Sequence, residues 1–403
     1  MQWPRGIEVD GYNSDEYVLQ VHKNVYGGKA AGRTWNKHLV KKLEFVGFKQ
    51  SAHDQCVFYK GTAMYTLYTD DSILAGPDKA ELLDIIQQMK DANLDLTVEG
   101  DLSDFLGVNI DKQSDGTLLL TQSRLIESIL ADLGLGGSDT TSIKSTPMAS
   151  SKLLSRHTES EPFDNHFHYR RAIGKLNFLE KSTRADIAYS VHQCARFSES
   201  PKREHGNAVK WIGRYLLGTK DKGLIIRTDW SKGLELYVDS DFAGNWDKQL
   251  AGTDIDTARS RHGYVLMYAG APILWQSQLQ TEIALSSTEA ELIGLSMGLR
   301  SAIPIMRMLQ EMKQFGFDVH PNIPEIHCKV FEDNQGALEI AKVPKMRPRT
   351  KHINCKYFHF TPYVETGSIK LQHISTLEQP ADVLTKPLDA TTLRKHRGFI
   401  LGW

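Results

Sequence analysis

The sequence predicts a multidomain chain that combines an α+β part with an α/β part. Three observations predict it. At 403 residues the chain is longer than one compact domain usually is, so two or three domains are expected. Residues 1–122 alternate helix-period and strand-period stretches, and residues 224–403 run three strands and a helix before strand and helix alternate. Between them, residues 123–223 carry mainly 3.6-residue apolar stripes and read as a helical region.

In the first region, TWNKHLVKKLEFVGF places Trp35, Leu39, Leu43 and Val46 on one helical face, closed by Gly47. QCVFYK and AMYTLYTDDSILAG read as strands, the second run turning back on itself at Asp70-Asp71. KAELLDIIQQMK is an amphipathic helix, and DFLGVNIDKQSDGTLLLTQ is a hairpin with Asp115-Gly116 as its turn. In the middle region, a Ser/Thr/Gly/Pro-rich connector follows SRLIESILADLGL. Then come three helical stretches, the last with Ala208, Trp211, Ile212, Tyr215 and Leu216 as a core stripe. In the last region, GLELYVDSDFAG, HGYVLMYAG and APILWQSQ are strand-like. A helix STEAELIGLSMGLRSAIPIMRMLQEM follows, then strand–helix in IHCKVFEDNQGALEIAK, helix in CKYFHFTPYVETG, strand in SIKLQHIST and a final helix in PADVLTKPL.

The composition is that of an ordinary globular protein, 40% hydrophobic and 24% charged. Lys+Arg 48 against Asp+Glu 49 gives a net charge of -1, which excludes binding polyanions by bulk charge and leaves room for a local basic channel. Cys56, Cys194, Cys328 and Cys355 form no C-x-x-C pair and no disulfide framework, which points to a reducing compartment. No apolar run of membrane-spanning length and no signal-peptide pattern stand out, so an intracellular protein without a membrane partner is expected.

Carboxylates recur at matching places in the last region. Asp239 follows LELYV, Glu289 lies in the first turns of the helix after ALSS, Asp333 follows CKVFE, and Asp382 opens the helix after QP. Glu291 is an alternative to Glu289, and Asp241 to Asp239. Singly, each is as well explained by a helix cap or an Asx-turn. Together at one sheet edge they could not all stay ionised without cations. A pair of Mg²⁺ ions, with Mn²⁺ as a substitute, suits such oxygen ligands, and two ions roughly 3.5–4 Å apart support in-line displacement at a phosphodiester. No small-molecule cofactor is expected.

YVDSDFAG, SRHGYVLMYAGAPILWQSQLQTEIALSSTEAEL, FEDNQGAL, KHINCKYFHF and QPADVLTKPL resemble the ribonuclease H domain of Ty1/copia-type retrotransposon Pol polyproteins. Upstream, KNVYGGKAAGRTWNKHL, LYTDDSILAG, FLGVNI and YRRAIGKLNFLEKSTRADIAYSVHQCARF resemble the reverse transcriptase of the same polyproteins. The resemblance implies a partial polymerase palm over 1–122, a helical thumb or connection over 123–223 and a ribonuclease H-like mixed sheet flanked by helices over 224–403. It implies that Asp70 and Asp71 sit at a tight turn facing two Mg²⁺ ions, Asp70 being the direct ligand. It also implies metal and catalytic roles for Asp239, Glu289, Asp333 and Asp382.

The family's palm also uses an aspartate in a block resembling Asp-Val-x-x-Ala-Phe-Leu-x-Gly, and this sequence holds no such block. The implied surviving chemistry is therefore Mg²⁺-dependent hydrolysis of the RNA strand of an RNA–DNA hybrid. Polymerisation by this chain alone is not expected, and the alternative is an inactive remnant that only binds hybrid or primer–template. The setting implied is intracellular: the cytoplasm, within a virus-like particle, or the nucleus. Lys342, Lys345, Arg347, Arg349 and Lys351 form a short basic loop suited to backbone phosphates, and Phe105 and Gly107 belong, by resemblance, to a hairpin gripping a primer strand. His352, Cys355 and His359 have helical spacing but lack a fourth ligand for structural zinc.

Overall fold

The structure, a computed structural model, describes residues 10–12, 16–18, 20, 22–25, 27–136, 143–149, 154–156, 158–250, 252–319, 327–342 and 357–403. The chain forms two compact units, Met1–Glu99 with Glu311–Phe317, and Gly100–Gln310 with Asp318–Trp403.

In the first unit, helix α1 (Ala31–Val46) ends at Gly47, whose φ of 100° gives the left-handed C-cap that a β-carbon would oppose. Strands β1 (Lys49–Gln50), β2 (Val57–Lys60), β3 (Ala63–Tyr68) and β4 (Asp71–Ala75) form an antiparallel sheet in sequence order. Helix α2 (Lys79–Asp91) starts at Asp78, whose carboxylate accepts the Ala80 N–H at 2.7 Å. Leu39 and Leu43 of α1, Phe58, Ala63 and Tyr65 of the sheet, and Ile85 and Met89 of α2 make one core. Tyr59 stacks on Phe315 with ring centroids 4.6 Å apart.

In the second unit, β5 (Asp104–Phe105), β6 (Val108–Lys112) and β7 (Leu118–Thr121) form the expected hairpin, with Gly116 at φ 84° in its turn. Helices α3 (Ser123–Asp132), α4 (Tyr169–Ser182), α5 (Ala188–Ala195) and α6 (Arg203–Leu217) follow. Strand β8 (Leu224–Ile226) then pairs back on β7, Leu118 opposite Ile226. That long-range pairing places the hairpin in the second unit, whereas the sequence reading ended the first domain at residue 122.

Strands β9 (Leu234–Ser240), β10 (Arg261–Tyr268) and β11 (Ala271–Leu279) lead into helix α7 (Ser287–Gln314). Strand β12 (Cys328–Glu332), helices α8 (Gln335–Lys342) and α9 (Thr361–Glu365), strand β13 (Ile369–His373), and helices α10 (Asp382–Thr385) and α11 (Ala390–Leu401) complete the unit. The sheet order is β11-β10-β9-β12-β13. β9 is antiparallel to β10 and parallel to β12, and every residue of β9 is buried. This is the mixed sheet with flanking helices that the sequence reading expected; α11 was not foreseen. The boundary drawn at 223 marks no break in packing. Leu176, Leu179, Val191 and Val209 share one core with Val265, Trp275, Leu384 and Ile400. Trp275 Nε1 also donates to the Glu180 carbonyl at 2.8 Å.

Two features hold the unit together around the sheet. Arg184, fully buried, binds Asp186 through Nε and a terminal nitrogen, both at 2.9 Å, and Tyr215 donates to the same carboxylate at 2.6 Å. Helix α7 packs close on β9: a β-carbon at Gly294 would lie 2.3 Å from Ser240 Oγ, and one at Gly298 3.1 Å from Val238. By length and composition α7 could cross a bilayer, contrary to the sequence reading. Its charges are few, and its small residues serve this close approach; 61% of its most apolar window is buried inside the protein.

Candidate metal centre

Asp239 lies near the end of β9 and Asp333 one residue beyond β12. These neighbouring strands run parallel with Phe331 opposite Tyr237, so continuing the register by two residues brings Asp333 level with Asp239. Both strands end at this edge, which is where the side chains of a parallel pair meet a ligand. Glu291 projects onto the same edge from the second turn of α7. One oxygen from each of Asp239, Glu291 and Asp333 lies within 4.8 Å of the other two.

Asp382 reaches the cluster from α10. The carbonyl of Val238 accepts from Gln379 Nε2 at 2.8 Å, which ties the approach to α10 onto β9. The Thr385 hydroxyl donates to Asp239 Oδ2. Gly263, opposite Asp239 on β10, makes room for α10: a β-carbon there would stand 2.5 Å from Leu384 Cβ and 2.9 Å from Thr385 Cγ2. Lys386 Nζ lies 2.8 Å from Asp382 Oδ1.

The electrostatics are those of crowded, dehydrated carboxylates. Burial raises Asp239, and burial with its neighbours Glu332 and Asp239 raises Glu291 well above the carboxylate range. Burial, then the charge on Asp239, lifts Asp382 to about 7. Glu332, wholly buried beside Asp333, is pushed up in the same way by burial. It accepts the Asn334 N–H at 3.1 Å on one oxygen. Glu291 Oε2 and Glu332 Oε2 are buried without a hydrogen-bond donor. Hard oxygen donors, convergent and partly unsatisfied, fit a small divalent cation such as Mg²⁺ and give a soft metal nothing to bind.

Glu289 is not part of this group. It is half-buried, and its carboxylate accepts the Leu285 N–H at 2.8 Å, while its own N–H donates to Ser286 Oγ at 3.2 Å. It caps the start of α7, and Glu291 two residues later is buried against the sheet. The structure thus favours the alternative that the sequence reading ranked second. Of the pair Asp239 and Asp241, Asp239 is in the group, and Asp241 accepts the Arg261 N–H at 2.5 Å and returns its own N–H to the Arg261 carbonyl at 2.9 Å, pinning the strand end. Glu332 was missed altogether, because alternation along β12 marks it as one more strand residue.

A family profile described as reverse transcriptase (RNA-dependent DNA polymerase) matches residues 1–149. The Pol polyprotein from transposon TNT 1-94 of Nicotiana tabacum is 32% identical over 397 residues, 96% of this chain and 28% of that protein. The Pol polyprotein from transposon RE2 of Arabidopsis thaliana is 32% identical over 381 residues, 93% of this chain and 24% of that protein. The chain belongs to the copia-type retrotransposon Pol family. It spans about a quarter of the length of those relatives. A solved structure, LC11-RNase H1 in complex with RNA/DNA hybrid, aligns at 17% identity and a TM-score of 0.24 over 38% of this chain and 93% of that one.

In this Pol chain the other expected site residues that the structure describes are not members of that group of three. Asp70 and Asp71 are exposed at the tight turn between β3 and β4, where Tyr68 pairs with Asp71 and Thr69 takes φ 56°. Among the described residues, Asp239, Glu291 and Asp333 are the one group of three or more potential ligands within such reach, so Asp70 and Asp71 have no third carboxylate there. Phe105 ends β5, and Gly107, φ 76°, turns the chain into β6. Lys342 is exposed at the end of α8. Lys345, Arg347, Arg349 and Lys351, with His352 and Cys355, lie outside the described residues. His359 lies 3.4 Å from Ser296 Oγ, and burial lowers its pKa.

Proposed function

We propose that Asp239, Glu291, Asp333 and Asp382 form a ribonuclease H centre that hydrolyses the RNA strand of an RNA–DNA hybrid. The observation that carries this reading is the convergence of Asp239, Glu291 and Asp333 on one sheet edge. Asp239 and Asp333, fixed at the ends of adjacent strands, set the spacing of the ligand oxygens; Glu291 closes the group from α7, and Asp382 flanks it from α10. Bound there, a pair of divalent cations supplies the charge that activates a water and stabilises the leaving oxygen. Burial favours the protonated carboxylates, so bound cations would be needed to hold them ionised. Contacts to the hybrid are read as backbone contacts, with Lys342 at the start of the basic stretch. The setting is intracellular, where such hybrids arise. For Asp70 and Asp71 the reading is a palm turn with no third carboxylate beside it among the described residues, and polymerisation is not assigned to this site.

The test is cleavage of a labelled RNA–DNA hybrid with Mg²⁺ and with EDTA, using the full chain and its Asp333→Asn variant. Mg²⁺-dependent cutting of the RNA strand, abolished in the variant, supports the reading. Hybrid binding by a folded chain without such cleavage identifies a binding-only remnant instead.

A further inference from the structure

Lys386 is the cluster's ion-pair partner among the described residues. Asp239, Glu291, Glu332, Asp333 and Asp382 are five carboxylates, and Lys386 is one amine. Its Nζ lies 2.8 Å from Asp382 Oδ1, with the carboxylate side chain 7% exposed and the lysine 39% exposed. The backbone at Lys386 is held in place. Its N–H donates to the Asp382 carbonyl at 3.2 Å, and it takes an extended conformation, φ -144° and ψ 157°, ahead of Pro387, which disfavours the helical alternative. The chain therefore cannot carry the amine away, but four side-chain torsions can, and the half-exposed side chain has solvent to move into.

We propose that Lys386 is a tethered counter-ion for the acidic centre, competing with divalent cations for Asp382 and turning outward to the substrate backbone when they load. Two physical requirements support this. Five buried or half-buried carboxylates need positive charge before any cation arrives, and Lys386 supplies it at the one member placed on a separate short helix. Cations and the amine cannot both saturate the same oxygen, so one displaces the other. Once released at the rim, an ammonium group faces the phosphodiester that the centre is proposed to cut. Lys386 is a positioning residue in this account, holding Asp382 ready and keeping the unloaded centre folded.

The proposal rests on the ribonuclease H reading, and the experiment separates the two. Mg²⁺ binding to the full chain is followed by calorimetry without nucleic acid, for wild type, Lys386→Met and Lys386→Arg. With its competitor removed, Lys386→Met is expected to bind Mg²⁺ about fivefold more tightly, the factor given by an ion pair of modest strength. Lys386→Arg, which keeps the charge, stays near wild type. A merely structural role predicts the opposite, weaker binding in Lys386→Met. In case that variant misfolds, the wild-type chain is also acylated with and without Mg²⁺ and Lys386 modification is read by mass spectrometry; faster labelling with Mg²⁺ is expected. Wild-type Mg²⁺ binding and cleavage with unchanged or weaker affinity in Lys386→Met, or with no labelling change, overturn the counter-ion proposal alone. Absence of both binding and cleavage in wild type overturns it together with the nuclease reading.

Discussion

Glu289 and Glu291 stand two residues apart on α7 and end in different surroundings: Glu289 half-buried at the helix start, bonded to the Leu285 N–H, and Glu291 buried beside Asp239 and Asp333. Their exchange is the sharpest test of the proposed site. Glu291→Gln is expected to lower Mg²⁺-dependent hybrid cleavage by about a hundredfold or more, while Glu289→Gln stays within a few-fold of wild type and loses only part of a cap. Single-turnover cleavage of both variants decides it, and the reverse ranking would return Glu289 to the site.

Stability should depend on pH with a sign set by raised carboxylates. Asp382 titrates at about 7 in the folded chain and near 3.8 when unfolded, so the folded state holds the extra proton between those values. Stability from this group is then intact below the lower value and falls as pH rises through the window, and Asp239, Glu291 and Glu332 act in the same direction. Melting in EDTA is expected at a lower temperature at pH 8 than at pH 5. Mg²⁺ should restore more at pH 8, where the ligands are ionised.

Gly263→Ala tests the seat of α10. The added methyl meets Leu384 and Thr385, so α10 must shift and take Asp382 with it. Urea denaturation is expected to show a loss of about 1–3 kcal/mol, the usual range for overpacking. Hybrid cleavage should fall as well, although Gly263 bears no ligand atom. Unchanged stability would mean that α10 tolerates the displacement.

The buried Arg184–Asp186 pair packs beside α10, with Asp186 lining one small cavity together with Val383 and Lys386, and its loss should be read first in folding. Asp186→Ala leaves the buried guanidinium without its anionic partner, with only the Thr219 oxygens as acceptors, and the Tyr215 hydroxyl without its acceptor. A loss of about 3–5 kcal/mol is expected by chemical denaturation. A variant as stable as wild type would show that water replaces the carboxylate.

The sequence made the strands around the acids readable because β9, β10 and β12 are short apolar runs bounded by turns, and Asp239, Asp333 and Asp382 fall at their ends or at a helix start. Glu291 was harder, since choosing between two glutamates requires knowing which face of α7 meets β9. The signal was present: Ala290, Gly294 and Gly298 are small residues at helical spacing, and Glu291 adjoins that stripe while Glu289 does not. Glu332 left no local trace. The domain boundaries at 122 and 223 failed to anticipate the units because β7–β8 pairing and the Trp275–Glu180 contact join residues about a hundred positions apart, which no window of periodicity can register.

The first unit is built from two stretches of sequence that translation delivers far apart in time. Tyr59 waits for Phe315, and Ser51, with the Ala52 N–H, waits for the Glu311 carboxylate. An expression fragment cut at residue 149, where the reverse-transcriptase profile ends, would leave that aromatic ring bare and those donors without their acceptor. Such a fragment should be sticky and quick to be digested, and soluble yield would return when residues 311–317 are supplied on the same polypeptide.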